Sequence, residues 1–156
     1  IRGKYLMGSL GLRLGFMASV NNIETSPTTI LHEGFFDLRP GVEYHFSQGK
    51  ASPYAGAELF VQHQSSNKNS TSELGIANAT SQNGANQAYL GYGGGLFVGV
   101  DYYWGKGFYV GIELGVEVGN RSFKGVEMAG EQIIEPTQNF IVNTNLNNAF
   151  KFGFSF

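Results

Sequence analysis

The sequence has little of what soluble domains and metal-binding proteins commonly use. It contains no Cys, which excludes disulfides, thiolate nucleophiles and thiolate metal sites. Charged residues make up only 14% of the chain, against about 25% in typical soluble domains. The formal net charge of -2 offers no basic excess for a row of phosphates, so nucleic-acid binding is not expected. The length of 156 residues fits a single domain over residues 1–156.

Long apolar runs are also missing. A membrane-spanning helix needs about 20 mostly apolar residues, and runs such as 96–98 end within a few positions. Glycine is abundant instead, with 23 residues. Between residues 107 and 119 it follows the G-x-x-x-G spacing of packed transmembrane helices, but Glu113 and Glu117 lie among those glycines and would place charge toward lipid. The spacing therefore favours a strand over a helix.

Alternation with a period of two is the strongest pattern present. From Phe108 to Val118 every second residue is apolar, and the residues between are Tyr, Gly or Glu. A period of two is that of a β-strand, whose successive side chains point to opposite faces. The same alternation occurs in five further segments, at residues 10–16, 36–46, 53–61, 90–101 and 140–156. The chain is therefore predicted to be all-β.

The predicted connections alternate in length along the chain. Tight ones are expected at residues 47–51 and 104–107. Long polar ones are expected at residues 19–28, 64–87 and 125–138. This order places short and long connections at opposite ends of an up-and-down antiparallel arrangement.

Alternation by itself does not tell which face is covered. In a soluble sandwich or barrel the apolar face packs inward and strands have about 5–6 residues. In a membrane barrel the apolar face meets lipid, and a strand needs about 9–11 residues to cross. The long runs here, the glycine-rich polar face and the aromatic residues near strand ends, such as Tyr44, Phe46 and residues 102–104, favour the membrane barrel.

Four segments resemble a known family. The last seven residues, FKFGFSF, resemble the closing strand of bacterial outer-membrane barrels. The segments KYLMGSLGLRLGF, FDLRPGVEYHF and SPYAGAELFV resemble the small OmpA/OmpX-type barrels, especially the outer-membrane β-barrel domain family of Bacteroidota. The resemblance implies a transmembrane barrel in the cell outer membrane that contacts outer-membrane lipid. It further implies that Phe156 is read by the barrel-insertion machinery, and that other outer-membrane proteins are candidate partners in a larger complex.

Barrels of this family have eight strands, whereas the alternation marks six complete ones. A tight turn at residues 7–9 would make residues 1–6 the tail of a seventh strand. One more strand preceding Ile1 would restore eight. The alternative is a single long first strand and a six-stranded sheet.

The polar face predicts a mixed set of charges in the barrel interior. Buried charges of both signs are stable when they pair and hydrogen-bond, so we expect an ion-pair network that fills the interior. An ion or proton path is the alternative. The predicted members are Arg13, Asp37, Arg39, Glu43, Glu58, Asp101, Glu113, Glu117, Arg121 and Lys151.

No pattern in the sequence predicts a catalytic residue, a metal site or a cofactor. Four residues of strand separate Glu113 from Glu117 by about 13 Å, which exceeds the spacing of glycosidase carboxylates. The three His residues lie on different segments, and the candidates for a hydroxyl nucleophile with a nearby base are Ser65 and Ser66 with His63, near a loop. The prediction is a non-enzymatic barrel with a structural or interaction role. The alternatives are a barrel that binds or transports a small apolar ligand in space left by Gly91–Gly99, and a lipid-modifying enzyme.

Overall fold

The structure is a computed structural model that describes residues 2–71, 74–104, 108–144 and 150–154. Within these ranges the chain forms strands and no helix, so no helix there is long and apolar enough to span a membrane. The strands are β1 Arg2–Met7, β2 Leu10–Ser26, β3 Thr29–His45, β4 Ala51–Ser70, β5 Ile76–Ala77, β6 Tyr89–Tyr103, β7 Phe108–Phe123, β8 Val126–Met128, β9 Glu131–Ile134, β10 Thr137–Thr144 and β11 Phe150–Phe154.

All eleven strands belong to one antiparallel sheet, which confirms the all-β prediction. Its long strands follow the order β1, β2, β3, β4, β6 and β7. Two strands then pair with β7, β10 along its second half and β11 along its first half. The short strands β5, β8 and β9 branch from the end of β4. Among the described residues, β1 does not pair with β10 or β11, so the sheet is not closed.

The predicted turn at residues 7–9 is confirmed. Met7 pairs with Leu10, and Gly8 has a φ of 63°, which glycine adopts without steric penalty in a two-residue hairpin loop. β1 is thus a separate strand, and the six-stranded alternative is wrong. The helical alternative for residues 107–119 is also wrong, because residues 108–119 lie in β7.

The predicted connections at residues 19–28 and 125–138 are largely strand. β2 and β3 pair without interruption from Leu10↔Tyr44 to Glu24↔Ile30, so most of residues 19–28 forms a projecting hairpin. β8 and β9 lie within residues 125–138. In the third predicted connection, residues 64–87, β4 continues through Ser70. The prediction failed because it relied on apolar alternation. A strand that projects into water keeps its backbone ladder without an apolar face.

Burial on the two faces is the reverse of that in a soluble protein. On β2, the apolar residues Leu10, Leu12, Leu14 and Phe16 are 44 to 53% exposed, whereas Arg13 is 4% exposed. We call the face that carries Arg13 the inner face and the opposite one the outer face. The sheet curls around the inner face so tightly that Arg13 on β2 contacts Glu113 on β7. A small separate apolar core, built on Ile76 and Val126, lies among the short strands.

Candidate functional site

A network of six cations and six carboxylates lies on the inner face, contributed by alternate positions of β1, β2, β3, β4, β6, β7 and β11. Because the side chains of a strand alternate between faces, each of these residues is separated from its apolar neighbours by one position. The cations are Arg2, Lys4, Arg13, Arg39, Arg121 and Lys151, and the carboxylates are Asp37, Glu43, Glu58, Asp101, Glu113 and Glu117. All ten predicted members lie on this face, and nine of them form ion pairs with other members.

Glu113 is the most heavily contacted carboxylate of this network. Arg13 binds it through two bonds, Nη1 to Oε2 at 2.8 Å and Nη2 to Oε1 at 3.0 Å. Lys151 Nζ lies 2.7 Å from Oε2, and the Tyr54 hydroxyl donates to the same oxygen at 2.9 Å. Arg2 Nη1 donates to Oε1 at 3.2 Å. Four strands besides β7 therefore meet at one buried carboxylate.

A second group surrounds Lys4. Its Nζ lies 2.5 Å from Asp101 Oδ2 and 2.8 Å from Glu43 Oε1. His45 Nε2 is 2.8 Å from that same Glu43 oxygen, and His45 Nδ1 is 2.6 Å from Ser52 Oγ. Glu43, His45 and Asp101 are close enough to hold a metal ion. Lys4 already provides positive charge between the two carboxylates, so the group is compensated as it stands.

Arg39 forms the third group. Its Nε donates to both Asp37 oxygens at 3.0 Å, and its Nη1 donates to Glu58 Oε1 at 3.2 Å and also contacts Glu117. Gln62 extends the group, because its Nε2 donates to Asp37 Oδ2 at 2.9 Å.

Within the described ranges, the predicted member Arg121 contacts no carboxylate. Its Nη2 donates to Gln62 Oε1 at 3.3 Å, and its guanidinium lies 4.9 Å from the centre of the Tyr89 ring. Arg121 is thus joined to the Arg39 group through an uncharged side chain.

Aromatic side chains fill the inner face between the charged groups. Tyr54 and Phe60 are each 1% exposed, and the Arg13 guanidinium stacks 3.9 Å from the centre of the Phe97 ring. A Cβ added at Gly93 would come within 2.6 Å of Phe60 Cζ. At Gly93 the space that an apolar ligand would need is therefore taken by Phe60, its cross-strand neighbour on β4. A sequence reveals which residues lack a side chain, but not which distant aromatic residue occupies the space above them.

Of the two hydroxyl groups near His63, that of Ser65 lies on the same face of β4, and within the described residues no hydrogen bond joins it to His63. His63 and Ser66 are three residues apart on β4, so their side chains lie on opposite faces. Ser66 Oγ is buried and has no hydrogen-bond partner in the described part of the chain. Glu113 and Glu117 belong to different ion-pair groups, with Arg13 and Arg39 respectively. Phe156, the predicted assembly signal, lies outside the described residues.

Sequence reasoning missed Arg2, Lys4, Tyr54 and Gln62. Arg2 and Lys4 share a face of β1, a pattern that period-two reasoning can detect. The sequence does not predict whether Arg2 and Lys4 lie on the inner or the outer face. Leu6 lies on the same side of the strand, and the six residues of β1 show no clear apolar alternation.

Comparison with known protein families, curated proteins and solved structures finds no match for this chain. The basis for a functional proposal is therefore the geometry of the two faces, together with the resemblance of the segments described above.

Proposed function

We propose that this chain is an integral outer-membrane β-barrel protein of the OmpA/OmpX type, with an interior filled by ion pairs and a structural or interaction role. The observation that carries the proposal is the inversion of burial, with charged residues inside and apolar residues outside on every long strand. This inversion suits a protein surrounded by lipid, because in water a large apolar surface would be exposed to solvent. Exposed outer residues on two neighbouring strands are Leu90, Tyr92, Leu96, Val98, Val100, Tyr102, Phe108, Val110, Ile112, Leu114, Val116 and Val118.

The height of the apolar surface supports the same proposal. The outer residues of β6 from Tyr92 to Tyr102 cover ten residue steps, or about 34 Å along the strand and about 26 Å along the membrane normal at a tilt of about 40°. The apolar band of outer-membrane barrels is about 25 Å tall. The two Tyr residues would therefore lie at the two interfaces.

Aromatic residues at both ends of the outer face fit that position. At the end with short turns, Tyr44, Tyr102 and Trp104 are 48 to 75% exposed. At the opposite end, Phe16 and Phe36 pack edge to face with ring centres 5.6 Å apart. Trp and Tyr are enriched at membrane interfaces because one end of each ring is apolar and the other polar.

The inner face supports a structural rather than a catalytic role. Its cations and carboxylates are equal in number, and their pairing removes most of the penalty for burying charge. An eight-stranded barrel has an interior that side chains fill, and here Phe60 and Phe97 occupy the space between ion pairs. The proposal includes one further strand, preceding β1, that closes the sheet.

The absence of Cys allows a direct test with single introduced Cys residues. We would label Leu96→Cys on the outer face, Gln62→Cys on the inner face and Val20→Cys on the projecting hairpin with a nitroxide, in chains reconstituted into phosphatidylcholine vesicles. The label at Leu96 should be accessible to oxygen and shielded from a polar nickel reagent, because it would lie in hydrocarbon. The label at Val20 should show the opposite preference. A Leu96 label that meets water as freely as the Val20 label would exclude the membrane assignment.

A further inference from the structure

One end of the inner face carries three buried side chains of the kinds that bind metal ions. Glu43 and His45 lie at the end of β3, and Asp101 lies near the end of β6. Each of the three is at most 3% exposed. One ligand atom from each lies within 4.8 Å of the other two. Donor atoms bound to one Zn²⁺ at about 2.0–2.2 Å are at most about 4.4 Å apart, so this arrangement is close to a coordinating one.

The hydrogen bonds of His45 direct one of its ring nitrogens into this group. Ser52 Oγ donates its only hydrogen to Ser47 O, so it accepts a hydrogen bond from His45 Nδ1, 2.6 Å away. A neutral His45 then carries a lone pair on Nε2, which faces Glu43 Oε1 at 2.8 Å. Two electron-rich atoms at this distance repel each other unless a proton or a metal ion supplies positive charge between them. A hydrogen bond on the other ring nitrogen is also the usual support of a metal-binding His.

The two carboxylates are positioned by cations outside the group. Arg13 Nη1 lies 3.4 Å from Glu43 Oε2, which leaves Glu43 Oε1 toward His45. Asp101 Oδ1 is buried without a hydrogen bond among the described residues, and Lys151 Nζ is 4.0 Å from it. Asp101 therefore has room in its coordination for a closer cation.

Lys4 supplies the positive charge at this position. Its Nζ lies 2.8 Å from Glu43 Oε1 and 2.5 Å from Asp101 Oδ2. A metal ion that binds these two side chains must displace the ammonium group, and the structure offers that group another place. The buried Tyr103 hydroxyl has no hydrogen bond in the described part of the chain and interacts electrostatically with Lys4. The centre of the Tyr109 ring lies 4.7 Å from Nζ, so a small rotation of the flexible Lys4 side chain exchanges the carboxylates for these two rings.

We propose that Glu43, His45 and Asp101 form a binding site for one Zn²⁺ ion, which enters in exchange for the ammonium group of Lys4. One imidazole nitrogen and two carboxylate oxygens are donors that Zn²⁺ accepts, whereas Ca²⁺ and Mg²⁺ prefer oxygen donors alone. The two carboxylates neutralise the charge of the ion. The ion would link β3 to β6, which β4 separates in the sheet. All donors lie on the inner face, so this inference goes beyond the proposed function and does not depend on what surrounds the outer face.

Isothermal titration calorimetry tests the site in the full chain, freed of metal and folded in detergent micelles. The unmodified chain should bind one Zn²⁺ ion. His45→Gln and Asp101→Asn should each bind it at least about tenfold more weakly, because each removes one ligand. His63→Gln is the matched control and should leave the affinity unchanged, since His63 lies on the outer face, next to the inner residue Gln62. An excess of Ca²⁺ should not displace the bound ion.

Lys4→Met removes the group that competes with the ion, so this variant should bind Zn²⁺ more tightly than the unmodified chain. Binding by Lys4→Met alone would overturn the proposal, because the ammonium group would then hold the position permanently. Displacement by Ca²⁺, or equal affinities of His45→Gln, Asp101→Asn and His63→Gln, would also overturn it.

A second measurement decides the question if Lys4→Met does not fold without metal. Zn²⁺ should raise the unfolding temperature of the unmodified chain and of His63→Gln, but not that of His45→Gln. The same rise in all three chains would reveal adventitious binding elsewhere and overturn the proposal.

Discussion

Arg13 Nη1 lies 2.8 Å from Glu113 Oε2, although the two residues stand on strands separated by three others in the sheet. A flat sheet would hold them roughly 19 Å apart, at about 4.8 Å per strand. Their contact therefore reports the curvature of the whole sheet. It also makes Glu113 the position at which β1, β2, β4, β7 and β11 depend on one another.

Replacing Glu113 by Gln should lower the free energy of unfolding by about 3–5 kcal/mol, because buried cations lose their common partner. Denaturant titration of the chain folded in detergent micelles measures this change. Glu24→Gln, on the exposed hairpin, is the matched control and should change stability by less than about 0.5 kcal/mol. Equal effects of the two substitutions would show that the network does not stabilise the fold.

Gly93→Ala should destabilise the fold by about 1–3 kcal/mol through overpacking. The added methyl group would meet the backbone oxygen of Val118 most closely, and it would lie 2.6 Å from Phe60 Cζ and 2.7 Å from Gly119 Cα. Gly3→Ala is the control, since the nearest atom to its new Cβ is Leu14 O at 4.0 Å. Thermal unfolding in micelles should separate the two variants. A stable Gly93→Ala chain would mean that β7 and Phe60 do not approach Gly93 as closely as the structure shows.

Leu96→Arg distinguishes lipid from water as the medium of the outer face. Leu96 is 66% exposed in the middle of β6, and an Arg facing the bilayer midplane should cost about 2–4 kcal/mol in vesicles. Val20→Arg replaces a residue that is 79% exposed beyond the apolar band, and it should be nearly neutral. If the outer face met water instead, Leu96→Arg would be neutral or would improve solubility.

Deletion of Phe156 should reduce assembly in cells more than it reduces stability. The resemblance to outer-membrane barrels implies that this residue is read during insertion, whereas a single large apolar side chain contributes only about 1–3 kcal/mol to stability. The truncated chain should fold in micelles and accumulate unfolded in the periplasm. Phe140→Ala removes another exposed aromatic, 69% exposed, and should insert normally. Equal insertion of the truncated and full-length chains would reject the assembly role.

Much of the fold could be predicted from local pattern. Period-two alternation identified the long strands, and Gly8 identified the first hairpin, because both features are properties of neighbouring residues. The extension of β2 and β3 to Ser26 and Thr29 was missed, since strands in water need no apolar face. The contents of the inner face were predicted by residue type, but the contacts among Glu113, Arg39 and their partners were not.

The sequence by itself determined that this chain is all-β and that one face of each long strand is apolar, because both follow from the alternation of side chains along a strand. Only the tertiary structure decided which charges meet. Lys4 reaches Asp101 and Arg39 reaches Glu117 because the sheet curls, and curvature depends on twist accumulated over many strands. The register of β4 against β6 placed Phe60 beside Gly93, and the curvature brought the edges of β1 and β11 to the two sides of one groove.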